Sequence, residues 1–140
     1  FERVQIANRM AIFLANVLLA MAAVAKVGVS ENPARSWMWQ LEPWCAMVEP
    51  VWKDTVYQAC ALGGARQKAQ KLKHNCPELC SIACECHHIH APEEWKPNVS
   101  ACGWYESPTK VEQEYTAEFA FAVAVVPAHW SGMQEWHSAC

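Results

Sequence analysis

Apolar and polar positions recur with two different periods along this chain. Over residues 3–26 apolar residues return every three to four positions, and this pattern predicts a helix with one apolar face. Residues 27–30 form a short apolar run that predicts a buried strand, and the Asn32-Pro33 dipeptide predicts a turn. We therefore expect a helix, a strand and then a turn that carries Glu31 near the end of the strand.

Two further strands are expected in the middle of the chain. Residues 55–60 are rich in strand formers, and residues 71–74 alternate as a half-buried strand does. Gly63 and Gly64 lie between them and indicate a turn. These segments predict a short sheet.

Helices are expected on either side of this sheet, which makes the predicted fold class α/β in a single domain over residues 1–140. The remaining predicted elements are a helical or irregular Trp-rich segment at 36–48, a short helix from Pro77 to about Cys84, an irregular stretch at 85–108, and an apolar helix that follows a capping box at Thr109–Glu112 and ends at Pro127.

The first helix has to be weighed against a membrane or signal segment. Residues 10–25 are mostly apolar between Arg9 and Lys26, but the run is shorter than the roughly 18 to 20 residues that span a bilayer, and Asn16 interrupts it. A signal peptide fits only loosely. Because the helical pattern continues back to Val4, we expect a buried amphipathic helix and no membrane partner.

Composition and charge limit the classes of partner. The chain has 140 residues, 53% of them hydrophobic, and a net charge of -3, which suits one domain with a real core and no general attraction to nucleic acid. Residues 55–77 contain no acid and hold four basic residues, which we call the basic stripe. Such a row neutralises phosphates or keeps a strand edge soluble. The stripe consists of Arg66, Lys68, Lys71 and Lys73.

Eight cysteines allow two different interpretations. In a smaller chain they would predict a secreted domain held by disulfides. The length, the apolar helices and the neighbouring histidines favour reduced thiols and an intracellular location. Both interpretations stay open at this point.

Cysteine and histidine crowd into residues 84–90, Cys-Glu-Cys-His-His-Ile-His. Thiolates and imidazoles are the preferred ligands of zinc, so the cluster indicates a metal site. The alternative is that the thiols are small buried side chains and the histidines are solvated. Cys76, Cys80 and Cys84 recur every fourth residue and would share one face of a helix.

The order of several segments resembles a family of phage, metagenomic and mobile-element proteins related to DNA (cytosine-5) methyltransferases. The segments that carry the resemblance are residues 7–23, residues 31–39, residues 58–68, a cysteine followed by His-x-His, and residues 111–120. The resemblance implies a partial Rossmann-like methyltransferase sheet flanked by helices, together with a Cys/His zinc-binding loop.

The same resemblance implies roles for individual residues. Glu31 would hold a flipped cytosine, Asn32 and Ser36 would shape its loop, and Arg66 and Lys68 would lie near phosphate or substrate. A structural zinc ion would bind to four ligands, with Cys86, His87 or Cys76 as possible replacements. The four ligands are Cys60, Cys84, His88 and His90.

Two features of a complete methyltransferase are missing from this sequence. It has no Pro-Cys dipeptide to supply the nucleophile and no Gly-rich loop for S-adenosylmethionine. The resemblance places both in an upstream half, so we expect a fragment that is inactive alone, with that half and DNA as its partners and S-adenosylmethionine bound only by the complete parent. The alternative is a non-catalytic, zinc-stabilised module that binds nucleic acid.

Overall fold

The structure is a computed structural model that describes residues 1–64, 66–90, 98–99, 101–103, 105–106 and 115–124. Within these residues helices and strands are mixed, and the strands form a three-stranded and a two-stranded antiparallel sheet. The capping box predicted at Thr109–Glu112 and the helix end predicted at Pro127 lie outside the described residues.

From the first helix to the Pro77–Ile82 segment the elements follow the order expected from the sequence patterns, whereas the last two strands lie in the stretch that was expected to be irregular. The helices are α1 (Glu2–Ala23) and α2 (Glu42–Cys45), with helical residues again at 117–124. The 3₁₀ segments are Trp37–Gln40, Ala59–Leu62 and Pro77–Ile82. The strands are β1 (Val29–Pro33), β2 (Lys53–Gln58), β3 (Ala69–His74), β4 (Asn98–Val99) and β5 (Tyr105–Glu106).

The main sheet has β3 in its centre. Its strand order is β1-β3-β2, and both pairings are antiparallel, with Leu72 opposite Glu31 on one side and opposite Thr55 on the other. A small sheet combined with helices was predicted and is confirmed. A Rossmann-like sheet is mostly parallel, and the three strands described here are not.

The first strand is longer than predicted and carries Glu31 inside it. β1 covers Val29–Pro33 rather than 27–30, because Asn32 pairs with Lys71 and Pro33 with Gln70. Proline is tolerated there since β1 is an edge strand, and the missing N–H removes no bond from an interior ladder. The turn predicted at Asn32-Pro33 therefore begins later than expected.

Each face of the sheet is covered by its own apolar cluster. One cluster joins α1, the Trp37–Gln40 segment and α2, and its buried members are Ala15, Leu18, Trp39, Trp44, Met47 and Trp52. The other joins the sheet to the Pro77–Ile82 segment and the 117–124 helix, and its buried members are Tyr57, Leu72, Cys76, Leu79, Ile82 and Phe119. The sheet thus separates two small cores.

Two lysines of the basic stripe are engaged by one carboxylate. Lys71 and Lys73 lie two apart on β3 and share a face, as predicted. Their Nζ atoms lie 2.9 Å and 2.7 Å from the Asp54 carboxylate oxygens, and Lys73 also donates to the Met47 carbonyl at 3.0 Å. Although burial acts to raise the pKa of Asp54, the bonds from Lys73 and Lys71 hold it below its ordinary value.

The first helix is much more exposed than predicted. Only Ala15 and Leu18 of α1 are buried, and residues 1–10 are all exposed. The expectation of a buried amphipathic helix over 3–26 is therefore wrong for its first half, because α2 and its neighbours cover only the second half. By length and composition alone α1 could cross a membrane, a property that core helices and signal sequences share.

The cysteines spaced four apart do not share a face. Residues Pro77–Ile82 form a 3₁₀ helix with about three residues per turn. Side chains that are four residues apart therefore point in different directions. Cys76 is buried, Cys80 is exposed and Cys84 lies beyond the helix. The prediction that the three thiols line one face is wrong.

We expect Asp54→Asn to lower the free energy of unfolding by about 1–3 kcal/mol, since it leaves the Lys73 ammonium without its counter-ion. The Lys73 side chain is only 9% exposed, while that of Asp54 is 42% exposed, which moderates the effect. Glu49→Gln is the matched control, because it breaks the exposed 3.7 Å Lys53–Glu49 pair and should cost about 0–0.5 kcal/mol. Urea unfolding at neutral pH measures both, and equal losses would contradict the expectation.

Stability should also fall in mild acid because of His74. This side chain is fully buried, its Nε2 lies 2.8 Å from the Thr55 hydroxyl, and desolvation lowers its pKa below the ordinary 6.5. The unfolded chain takes up a proton below pH 6.5 before the folded chain does, so stability present above that pH is lost as the pH falls, by up to about 1.4 kcal/mol per pH unit. Urea unfolding at pH 7.5 and 5.5 with a chelator present should show a smaller pH dependence for His74→Gln, and an unchanged dependence would refute the assignment.

Candidate metal centre

Two thiols and two imidazoles converge at the end of β2. One ligand atom from each of Cys60, Cys86, His88 and His90 lies within 4.8 Å of all the others. The Cys86 sulfur is 3.3 Å from His88 Nδ1 and 2.9 Å from His90 Nε2. Among the described residues, this is a group that could hold a metal ion.

Cys60 is fixed by the turn that follows β2. It lies in the 3₁₀ segment Ala59–Leu62 and is buried. Gly63 ends this segment with a φ of 81°, a left-handed conformation that glycine adopts without strain. The Gly64 N–H then donates to the Ala59 carbonyl at 2.9 Å, which holds the turn closed around Cys60.

The other three ligands come from a loop that starts beside the same strand end. Tyr57 and Cys84 form an isolated parallel bridge, and the Gln58 N–H donates to the Cys84 carbonyl at 3.0 Å. From there the ligands follow at every second residue, a spacing that places side chains on one side of an extended chain. These residues are Cys86, His88 and His90.

The neighbours of Cys86 favour its thiolate. A hydrogen bond with His90 is the main cause that lowers the pKa of Cys86 to about 6, and bonds from Cys60 and His88 act in the same direction. Burial, with the charge and hydrogen bond of Cys86, raises the pKa of Cys60. One thiolate is thus available at neutral pH, and a cation would be needed to stabilise a second one beside it.

The distances suit a small four-coordinate ion. In a tetrahedral site with metal–sulfur bonds of about 2.3 Å and metal–nitrogen bonds of about 2.0 Å, neighbouring ligand atoms lie roughly 3.5 Å apart. Cys86 and His90 are closer than this at 2.9 Å, and the widest separation is below 4.8 Å. To reach the ligand separations of a tetrahedral site, the side chains would have to shift by about 1 Å or less.

The structure brings together three of the four ligands that the resemblance implied, with Cys86 in place of Cys84. Cys84 packs against the apolar cluster around Tyr57 instead. His87 is exposed, and the thiol of the buried Cys76 lies 3.1 Å from a carboxylate oxygen of the exposed Glu78. The alternation of Cys86, His88 and His90 is the sequence signal that separates these three from their neighbours.

Glu31 lies on the opposite side of the main sheet from Asn32 and Ser36, the two residues that were expected to shape its loop. Its carboxylate accepts a hydrogen bond of 3.1 Å from the Tyr115 hydroxyl. The pKa of Tyr115 is raised by burial and by the charge of Glu31, and the pKa of Tyr57 is raised for the same two reasons, burial first. Glu31 therefore belongs to a tyrosine-lined part of the sheet face.

Asn32 and Ser36 hold the Trp37–Gln40 segment in place. The Asn32 side-chain amide lies 3.2 Å from the Met38 sulfur, and the Ser36 hydroxyl accepts from the Met38 N–H at 3.2 Å. Because neighbouring strand residues point to opposite faces, Glu31 and Asn32 do not converge on one site.

Arg66 and Lys68 lie between the Gly63-Gly64 turn and β3, and both are half-buried. The Lys68 carbonyl accepts from the Ala59 N–H at 2.9 Å, which ties this connection to the residue before Cys60. The backbone around these two basic residues thus supports the turn that carries one of the four candidate ligands.

The cysteines of the described residues are all free. They are Cys45, Cys60, Cys76, Cys80, Cys84, Cys86 and Cys102. Free thiols are the form that a metal centre needs, since the thiolate is the ligand.

No protein-family model, curated protein or solved structure matches this chain. The resemblance to DNA (cytosine-5) methyltransferases therefore stays a prediction from the sequence.

Mutation of the two neighbouring cysteines separates the alternative ligand sets. We expect Cys86→Ser to abolish stoichiometric zinc binding, because only three ligands remain, while Cys84→Ser retains about one ion per chain. Elemental analysis of the desalted proteins gives the metal content, and circular dichroism checks that both variants fold. Zinc loss in Cys84→Ser with retention in Cys86→Ser would reverse the assignment.

Proposed function

We propose that this chain is a non-catalytic zinc-binding module whose metal ion fastens the loop at residues 85–90 to the end of the main sheet. The observation that supports this proposal is the convergence of two thiols and two imidazoles within 4.8 Å. Cys60 comes from the sheet side, and the other three ligands come from the loop.

Zinc is the metal that suits this donor set best. Hard cations such as Mg²⁺ and Ca²⁺ take oxygen ligands, and none of the four donors is an oxygen. Two cysteines with two histidines are a familiar four-coordinate set for Zn²⁺, which has no redox chemistry of its own and accepts tetrahedral geometry readily.

A closed set of four protein ligands supports a structural role for the ion. Catalytic zinc keeps an open position for water or substrate, and four side chains fill a tetrahedral ion. The ion would also offset the charge of two adjacent thiolates, Cys60 and Cys86, which otherwise raise the cost of ionising each other. Its chemistry here is therefore cross-linking.

The proposed module needs no methyltransferase activity. A cytosine methyltransferase-like fragment with a Rossmann-like sheet, an upstream partner half and an intracellular location remains a prediction from the sequence, as does binding to nucleic acid. Lys71 and Lys73 both pair with Asp54, which makes these two lysines less available for the phosphate contacts of the nucleic-acid-binding hypothesis.

Removal of zinc should destabilise the folded chain. Free zinc at about 100 times its dissociation constant adds roughly 2.7 kcal/mol to the free energy of unfolding, so chelation should lower the melting temperature by several degrees. Differential scanning fluorimetry of the reduced chain, with zinc and then with excess chelator, measures the shift.

Two variants serve as controls for the melting experiment. Cys86→Ser should melt at one temperature with or without zinc, whereas Cys84→Ser should keep the zinc-dependent shift. If the wild-type melting temperature were the same with zinc and with excess chelator, the proposed function would be overturned.

A further inference from the structure

A row of exposed apolar side chains runs along the outer side of α1. Phe13 is 70% exposed and Met10 is 67% exposed, and Ile6, Val17 and Ala20 are exposed in the same row. Their spacing is four, three, four and three residues. On a helix of 22 residues, about 33 Å long, this spacing draws one nearly straight apolar line.

The inner side of α1 is already used by the domain. Ala15 and Leu18 are buried in the cluster that contains Trp44, and the Trp44 indole N–H donates to the Ala11 carbonyl at 3.1 Å. These contacts fix the helix from Ala11 onward against the core. The apolar row lies away from them and stays exposed in the described structure.

The spacing of the apolar row and the packing of the inner side of α1 against the core both favour a partner helix over a lipid bilayer. Apolar residues whose spacing alternates between three and four match the heptad repeat, in which such residues form the seam between two packed helices. Polar side chains that face lipid are costly in a helix that crosses a bilayer, and Arg9 and Asn16 are exposed near the middle of α1. The second half of α1 also packs against the cluster that contains Trp44. We propose that α1 pairs with α1 of a second copy of this chain along this row.

The charges of the helix select an antiparallel pair. In a parallel pair the two Arg3 side chains would meet in one layer of the seam and repel each other. In an antiparallel pair Met10 of each copy packs against Phe13 of the other, and Ile6 against Val17. Arg3 then lies beside Ala20 of the other copy, near a helix end that has no basic residue in its last turn and carries partial negative charge.

The oligomeric state of the full 140-residue chain tests the pairing. We expect light scattering after size exclusion, with zinc present, to give twice the monomer mass for the wild type and the monomer mass for Phe13→Glu. Gln5→Glu is the matched control, because it adds the same charge to the same helix away from the row and should remain dimeric. Circular dichroism of all three proteins checks that α1 is intact.

The orientation has a separate test. We expect native mass spectrometry of an equimolar mixture of wild-type and Arg3→Glu chains to show homodimers and heterodimers in binomial proportion, since Arg3 meets no second Arg3 in an antiparallel pair. An excess of heterodimer would overturn the antiparallel arrangement, because it would show that residue 3 of one copy meets residue 3 of the other.

Three outcomes would overturn the proposal as a whole. A wild-type chain that stays monomeric over the concentration series excludes the pair. Dissociation of Gln5→Glu to the same degree as Phe13→Glu excludes the row as the contact. Flotation of a monomeric wild-type chain with phosphatidylcholine–phosphatidylglycerol vesicles would assign the row to lipid instead.

Discussion

The structure depends on a single central strand that must satisfy two different cores. β3 pairs with β1 on one side and with β2 on the other, so every other part of the main sheet takes its position from it. Its alternation sends Leu72 and His74 to one face and Lys71 and Lys73 to the other. The two lysines are tolerated beneath the Trp-rich cluster because Asp54 and the Met47 carbonyl accept their hydrogen bonds.

The candidate metal centre is an extension of this arrangement. The register of β2 against β3 sets where β2 ends, and the Ala59–Lys68 hydrogen bond holds the turn that follows it. The loop at 85–90 is aligned by the bridge from Cys84 to Tyr57. The sheet thus brings together ligands that are far apart along the chain, and the metal ion would act on a geometry that backbone hydrogen bonds already define.

Local sequence patterns predicted the helices and strands themselves better than they predicted what packs around each of them. Alternation identified β2 and β3, and the glycine pair identified the turn, because these signals act between near neighbours. The exposure of α1 was not predictable in this way, since an apolar helix pattern does not say what covers it. The 3₁₀ geometry after Pro77 likewise depends on packing, and it is the reason that Cys76 and Cys80 point apart. The Cys/His content indicated a metal site, but only the fold shows that Cys86, rather than Cys84, stands beside Cys60.

The positions of the four ligands along the sequence affect the metal affinity of the unfolded chain as well as that of the folded chain. Three of them, Cys86, His88 and His90, lie within five consecutive residues, while Cys60 is distant in sequence. An unfolded chain therefore keeps a local tridentate chelate, and folding adds the fourth ligand together with a fixed geometry. Because an ion stabilises a fold only by the difference between its affinities for the folded and unfolded chains, the thiolate of Cys60 is the ligand that converts metal binding into folding free energy.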